Sequence, residues 1–197
     1  MTEYQLLHSL AATQACTGET TRLLSQVLGE IHSWDLQNVA ERDPLFLSRV
    51  VNKMIGIDAA GFLCERPERP DRLMDCFWQC VGMFSRTSRE MTLLFERTRD
   101  AKVNLEASDS PLQGHFIISQ MTLTGGAGLV PYREQDFRFF GQTQVLLHLL
   151  IGDLSLGLSN LRLQTEGHPG FLPILTPVMR AVSRLVNGED EGPEEAI

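Results

Sequence analysis

The chain has 197 residues, 43% of them hydrophobic, and a formal net charge of -8. That suits one domain with a substantial core. Five of the acids, Glu189, Asp190, Glu191, Glu194 and Glu195, crowd the C-terminal end, and without those five the charge is only -3. A mildly acidic body excludes general binding to the phosphate backbone of nucleic acid, which needs a basic surface. The four cysteines, Cys16, Cys64, Cys76 and Cys80, lack the spacing of a disulfide framework. No basic segment followed by an apolar run opens the chain, so a reducing cytoplasm is the expected location. The most apolar run, Val145 to Leu158, contains His148 and Asp153 and is too short to span a bilayer.

From Glu3 to Ser33 the sequence reads as helix, with Leu10, Thr17, Leu24 and Ile31 spaced by seven. The middle of that stripe is threonine, so the helix either breaks near Cys16 to Thr20 or has a polar waist. Asp43-Pro44 signals a helix start, with Leu47, Val50, Val51, Met54 and Ile55 facing inward. Glu65 to Pro70 carries two prolines and reads as a stiff connector.

The region from Asp71 to Leu105 is the expected spine. Phe77, Phe84, Met91, Thr98 and Leu105 recur every seven residues, and Leu73, Cys80, Thr87, Leu94 and Ala101 form a second row. Both rows fall on one helical stripe, and about 35 residues of helix would be roughly 50 Å long. Thr87 with Glu90 also fits a capping box, which would break the helix near Ser85.

Phe116 to Thr124 favours strand through Ile117, Ile118, Thr122 and Thr124, whereas Gly125-Gly126-Ala127-Gly128 reads as a break, hinge or tight turn. Tyr132 to about Leu163 gives a second helical stripe through Phe137, Phe140, Gln144, Leu147, Ile151, Leu154, Leu158 and Leu161. The rival there is strand alternation through Leu154, Leu156 and Leu158. Thr176-Pro177 starts a final helix that Asn187-Gly188 closes. The expected fold is therefore all-α. It is an antiparallel bundle of about three long and three short helices over 1–188, with a small β element near 116–124 and a disordered acidic tail at 189–197.

Signatures of chemistry are sparse. Glu-x-x-His, His-Glu-x-x-His, Gly-x-Ser-x-Gly and Ser-x-x-Lys do not occur. The glycine run lacks the Gly-Lys-Ser/Thr end of a phosphate loop. Cys76 and Cys80 lie one helical turn apart and could bind metal with Cys64, but a second matching pair is missing and core packing explains them.

The leading expectation is a non-catalytic, cytoplasmic regulator or adaptor, a homodimer acting through helical surfaces that include Phe77, Phe84, Met91, Leu93 and Phe95. It needs no cofactor, enters no membrane and binds protein partners. The alternative is a small-molecule- or metal-binding protein, with an enzyme not excluded. Its pocket would lie between helices 71–105 and 132–163 and be lined by Thr87, Thr98, Gln144 and His148.

Overall fold

In the computed structural model, residues 2–14, 17–152 and 162–189 are described. They form a mixed five-stranded sheet with nine α-helices, an α/β fold rather than a helical bundle. The strands are β1 (Ala101–Ala107), β2 (Gln113–Ser119), β3 (Thr122–Ala127), β4 (Phe137–Gly141) and β5 (Leu163–Gly167), in spatial order β3-β2-β1-β4-β5. β1 pairs in parallel with β4, and the other neighbours are antiparallel.

The N-terminal half is helical. α1 (Glu3–Ala12) and α2 (Gly18–Glu30) are separate, and the Thr17 hydroxyl caps α2 by accepting from the Thr20 N–H. The threonine waist is thus a break. After a 3-10 turn at Ile31–Ser33 come α3 (Leu36–Arg42), α4 (Phe46–Ile55) and α5 (Ala59–Cys64). Asp35 caps α3 and Asp58 caps α5, each accepting from an N–H three residues on. α4 begins at Phe46, two residues beyond the Asp-Pro signal.

The expected spine divides into three elements. α6 (Glu68–Ser85) is the longest helix. It ends before Ser88, whose hydroxyl accepts from the Met91 N–H and caps α7 (Arg89–Phe95). The break falls near Ser85 as the capping-box reading allows, with Ser88 in place of Thr87 as the cap. Beyond Asp100 the chain is β1, not helix. Its sequence Ala-Lys-Val-Asn-Leu-Glu-Ala alternates apolar and polar, and Val103 and Leu105 are buried on one face. Leu105 therefore fits a seven-residue row by coincidence.

The first part of the second expected long helix is strand. Phe137 and Phe139 lie on the core face of β4, and among the described residues of the range only α8 (Thr143–Leu150) is helical. Leu154 to Leu161 fall outside the described residues, as do Cys16 and residues 190–197 of the acidic tail. α9 (Leu172–Val186) starts earlier than the Thr-Pro signal and carries Pro177 in its interior. Asn187 and Gly188 (φ +67) close it.

The glycine run is strand rather than hinge. Gly125 stands opposite Phe116, and a Cβ added there would lie 2.4 Å from the His115 carbonyl oxygen and 2.9 Å from Trp78 Cγ. Glycine is needed because α6 presses onto β3 at this point. Trp78 in turn stacks on Phe116 at 4.8 Å between ring centres and meets Phe77 edge-on at 5.1 Å. The helices cover the face of the sheet that bears Val103, Phe116, Phe137 and Phe139. The opposite face is crossed by the segment 128–136. The Asn104 amide donates to the Val130 carbonyl and Gln135, while its oxygen accepts from the Val130 N–H.

Candidate functional site

α3 and α6 diverge enough to leave a groove with two adjacent lobes. One holds about 370 Å³ and is lined by the polar groups His32, Asp35, Arg72, Asp75 and Gln79, with Trp34 and Cys76. The other holds about 430 Å³ and presents Ala40, Pro44, Met83 and Phe84, with Glu41, Arg86 and Thr87 at its margin. Gln37 and Met83 line both lobes, so the two are adjacent.

The sequence positions these groups by helical spacing. Arg72, Asp75, Cys76, Gln79 and Met83 recur at three or four residues and share one face of α6. The polar end is firmly held. Arg72 Nη1 donates to the Leu28 and Gly29 carbonyls at 3.1 and 2.8 Å, meeting the negative end of α2. Asp75 Oδ1 accepts from the Ala127 N–H at 2.7 Å, and Asp35 Oδ1 accepts from the Asn38 N–H at 3.2 Å. Each carboxylate thus commits one oxygen to the fold. The neighbouring Cys80 thiol foremost, and burial next, hold the Cys76 thiol well above its ordinary value. The groove is accordingly lined by a protonated sulfur, not a nucleophilic thiolate.

A second polar cluster lies on the outer face of the sheet. Arg138 is paired with Glu106 and, at 3.2 Å, with Glu166, whose other oxygen accepts from the Tyr132 hydroxyl at 2.5 Å. The Tyr132 contact lowers the Glu166 carboxyl and raises the Tyr132 phenol. Both groups are exposed and make a solvated network rather than a cleft.

Among the sequence-derived ligand residues, Thr87 reaches the apolar lobe, with its hydroxyl donating to the Phe84 carbonyl. Thr98 donates to the Leu94 carbonyl and Gln144 to that of Ile55; both are structural bonds away from the groove. His148 lies on α8 and lines neither lobe. The two ranges expected to flank a pocket are not single helices: 71–105 contains most of α6, α7 and part of β1, and the described part of 132–163 contains β4 and α8. The cysteines do not converge as three: Cys64 is exposed with Sγ turned to the Asp109 carbonyl. No group of three or more His, Cys, Asp or Glu among the described residues could hold a metal ion.

Three of the five residues expected at a partner surface are buried. Phe77 and Met91 are fully enclosed and Phe95 is 4% exposed, so they are core and cannot meet a partner. Leu93 is exposed at 46%, and Phe84 is half-buried in the groove wall. The sequence stripe marked the face buried against the sheet and other helices, and it missed Asp35, Arg72, Asp75 and Gln79. The recurrence of Arg72, Asp75, Gln79 and Met83 at helical spacing was the available signal. No helix among the described residues is long and apolar enough to cross a membrane.

No protein-family model and no curated protein matches the chain. Part of it is similar to several solved structures. One is a UbiJ-SCP2 ubiquinone synthesis protein, at 14% identity over 55% of this chain and 90% of that chain, with a TM-score of 0.43. A second is a sterol carrier protein 2, at 12% identity over 57% and 95%, with a TM-score of 0.44. A third is sterol carrier protein 2 from Yarrowia lipolytica in its apo form, at 7% identity over 57% and 90%, with a TM-score of 0.40.

Proposed function

We propose that this protein binds an amphipathic small molecule of lipid type in the groove between α3 and α6. The observation that carries the reading is the adjacency, at Gln37 and Met83, of a lobe rich in polar groups and an apolar one. Apolar surface leaving water for the Ala40, Pro44, Met83 and Phe84 wall supplies the driving force, at roughly 25 cal/mol per Å². The polar end fixes orientation, since Arg72, Asp75 and Asp35 are already held by backbone partners. A ligand with one apolar tail and a small head bearing both donors and acceptors matches this lining. The name of sterol carrier protein 2 describes a cargo of similar character, but the reading rests on the groove itself.

Titration with a fluorescent single-chain amphiphile tests it. Saturable binding is expected in the native protein. Met83→Glu, which sets a charge where the lobes meet, is expected to abolish it while circular dichroism stays unchanged. Binding of equal strength in a folded Met83→Glu variant would rule the groove out.

A further inference from the structure

α6 sends the two charges of its polar lobe to different neighbours. Arg72 and Asp75 are three residues apart, a spacing at which opposite charges on a helix commonly pair. They do not pair here. Arg72 Nη1 is drawn to the Leu28 and Gly29 carbonyls in the last turn of α2, and Asp75 Oδ1 to the Ala127 N–H of β3. Asp35, on the α3 side, gives Oδ1 to the Asn38 N–H. Among the described residues no ion pair includes Arg72, Asp35 or Asp75. Arg72 Nε and Nη2, and Oδ2 of each carboxylate, also make no hydrogen bond there. Yet all three side chains line one cavity of about 370 Å³, together with His32 and Trp34.

We propose that the head of the groove's ligand is zwitterionic, with an acidic oxygen group on Arg72 and an ammonium on Asp75 and Asp35. This rests on the amphiphile reading and names its ligand class. The lobe sets one cation against two anions, each anchored by a backbone partner and so ordered before a ligand arrives. A purely anionic head gains Arg72 but brings its charge beside two carboxylates. A purely cationic head gains the carboxylates but brings its charge beside Arg72. A neutral head makes no contact between opposite charges. Only a head of both signs meets every fixed charge with its opposite. Trp34 adds an aromatic surface next to Asp35, favourable to an ammonium. The tail of the same molecule runs to Met83 and Phe84 in the apolar lobe. Asp35 and Asp75 are exposed and Arg72 is half-buried, so water screens each contact and the discrimination per charge is moderate.

Four probes with the same dodecyl chain are set to displace a fluorescent single-chain amphiphile from the full-length protein, each below its micelle concentration. They are dodecylphosphoethanolamine, dodecyl phosphate, dodecylamine and dodecyl glycerol ether. The zwitterion is expected to bind about fivefold more tightly than each of the others. Asp75→Asn keeps an oxygen for the Ala127 N–H and removes the charge. It is expected to narrow the preference over dodecyl glycerol ether and over dodecyl phosphate to within about twofold. Arg72→Gln is expected to narrow the preference over dodecylamine in place of that over dodecyl phosphate. If Arg72→Gln fails to fold, the native ranking and Asp75→Asn decide. Equal binding of all four heads, or a ranking that the folded variants leave unaltered, overturns the zwitterion and leaves the amphiphile reading standing. Displacement by none of the four overturns both.

Discussion

Asp75 on α6 accepts a 2.7 Å hydrogen bond from the backbone N–H of Ala127, the last residue of β3. β3 is an outermost strand of the sheet, and the neighbouring Gly128 N–H pairs inward with the Gln113 carbonyl. The Ala127 N–H has the opposite phase and points off the edge, where Asp75 receives it. The same helix shields the rest of that edge, since a Cβ on Gly82 would lie 3.2 Å from the Leu123 carbonyl oxygen. One carboxylate therefore ties the groove helix to the sheet and covers an open strand edge.

Asp75→Ala removes that tie. The bond is exposed, so the expected loss is about 1 kcal/mol in chemical denaturation. Hydrogen exchange at Ala127 is expected to accelerate more than at Phe116. Unchanged exchange at Ala127 would show that the contact does not hold the edge.

Gly125→Ala sets a methyl group against a backbone oxygen that cannot give way and against Trp78. Overpacking of this kind costs about 1–3 kcal/mol. Gly18→Ala is the control, because nothing lies within 4 Å of its Cβ position and it opens α2. Its expected effect is neutral or stabilising by up to about 1 kcal/mol. Comparable losses in both variants would contradict the packing assigned to Gly125.

Phe95→Glu and Leu93→Glu separate core from surface within one turn of α7. Phe95 is 4% exposed and Leu93 46%. A charge at Phe95 is expected to abolish cooperative unfolding or cost several kcal/mol, whereas Leu93→Glu stays within about 0.5 kcal/mol. Equal tolerance of the two would return Phe95 to the surface.

The Cys76 thiol gives a pH prediction. The neighbouring Cys80 thiol and burial raise its pKa in the fold, so the protonated form is favoured in the native state. That stability is fully present below the ordinary thiol value of 9.0 and is lost progressively as pH rises from there through the raised folded value. Denaturant midpoints are expected to fall from about pH 9 upward in wild type and less so in Cys76→Ala. Alkylation at pH 8 is expected to modify exposed Cys64 well ahead of Cys76 and Cys80. Equal alkylation rates would contradict the burial.

Local signals in the sequence survived better than long-range ones. Thr17, the break near Ser85 and the Asn187-Gly188 terminus were legible because capping and αL termination depend on a few adjacent residues. The sheet was not, because two seven-residue rows ran unnoticed from helix into strand. In β1, Val103 and Leu105 alternate with Lys102, Asn104 and Glu106, a period of two hidden beneath Thr98 and Leu105 of the longer count. Gly125 and Gly126 read as a break because their true cause, the closeness of Trp78 and Asp75 on another element, is tertiary. The groove was hidden for a similar reason. Its polar wall lies on the exposed flank of α6, beside the stripe that the core drew attention to.

Hydrogen–deuterium exchange with and without a saturating single-chain amphiphile tests the groove most directly. Protection is predicted in residues 31–44 and 72–87, which line both lobes, with β1 and β2 unchanged. Protection confined to other segments, or none at saturation, would contradict binding between α3 and α6.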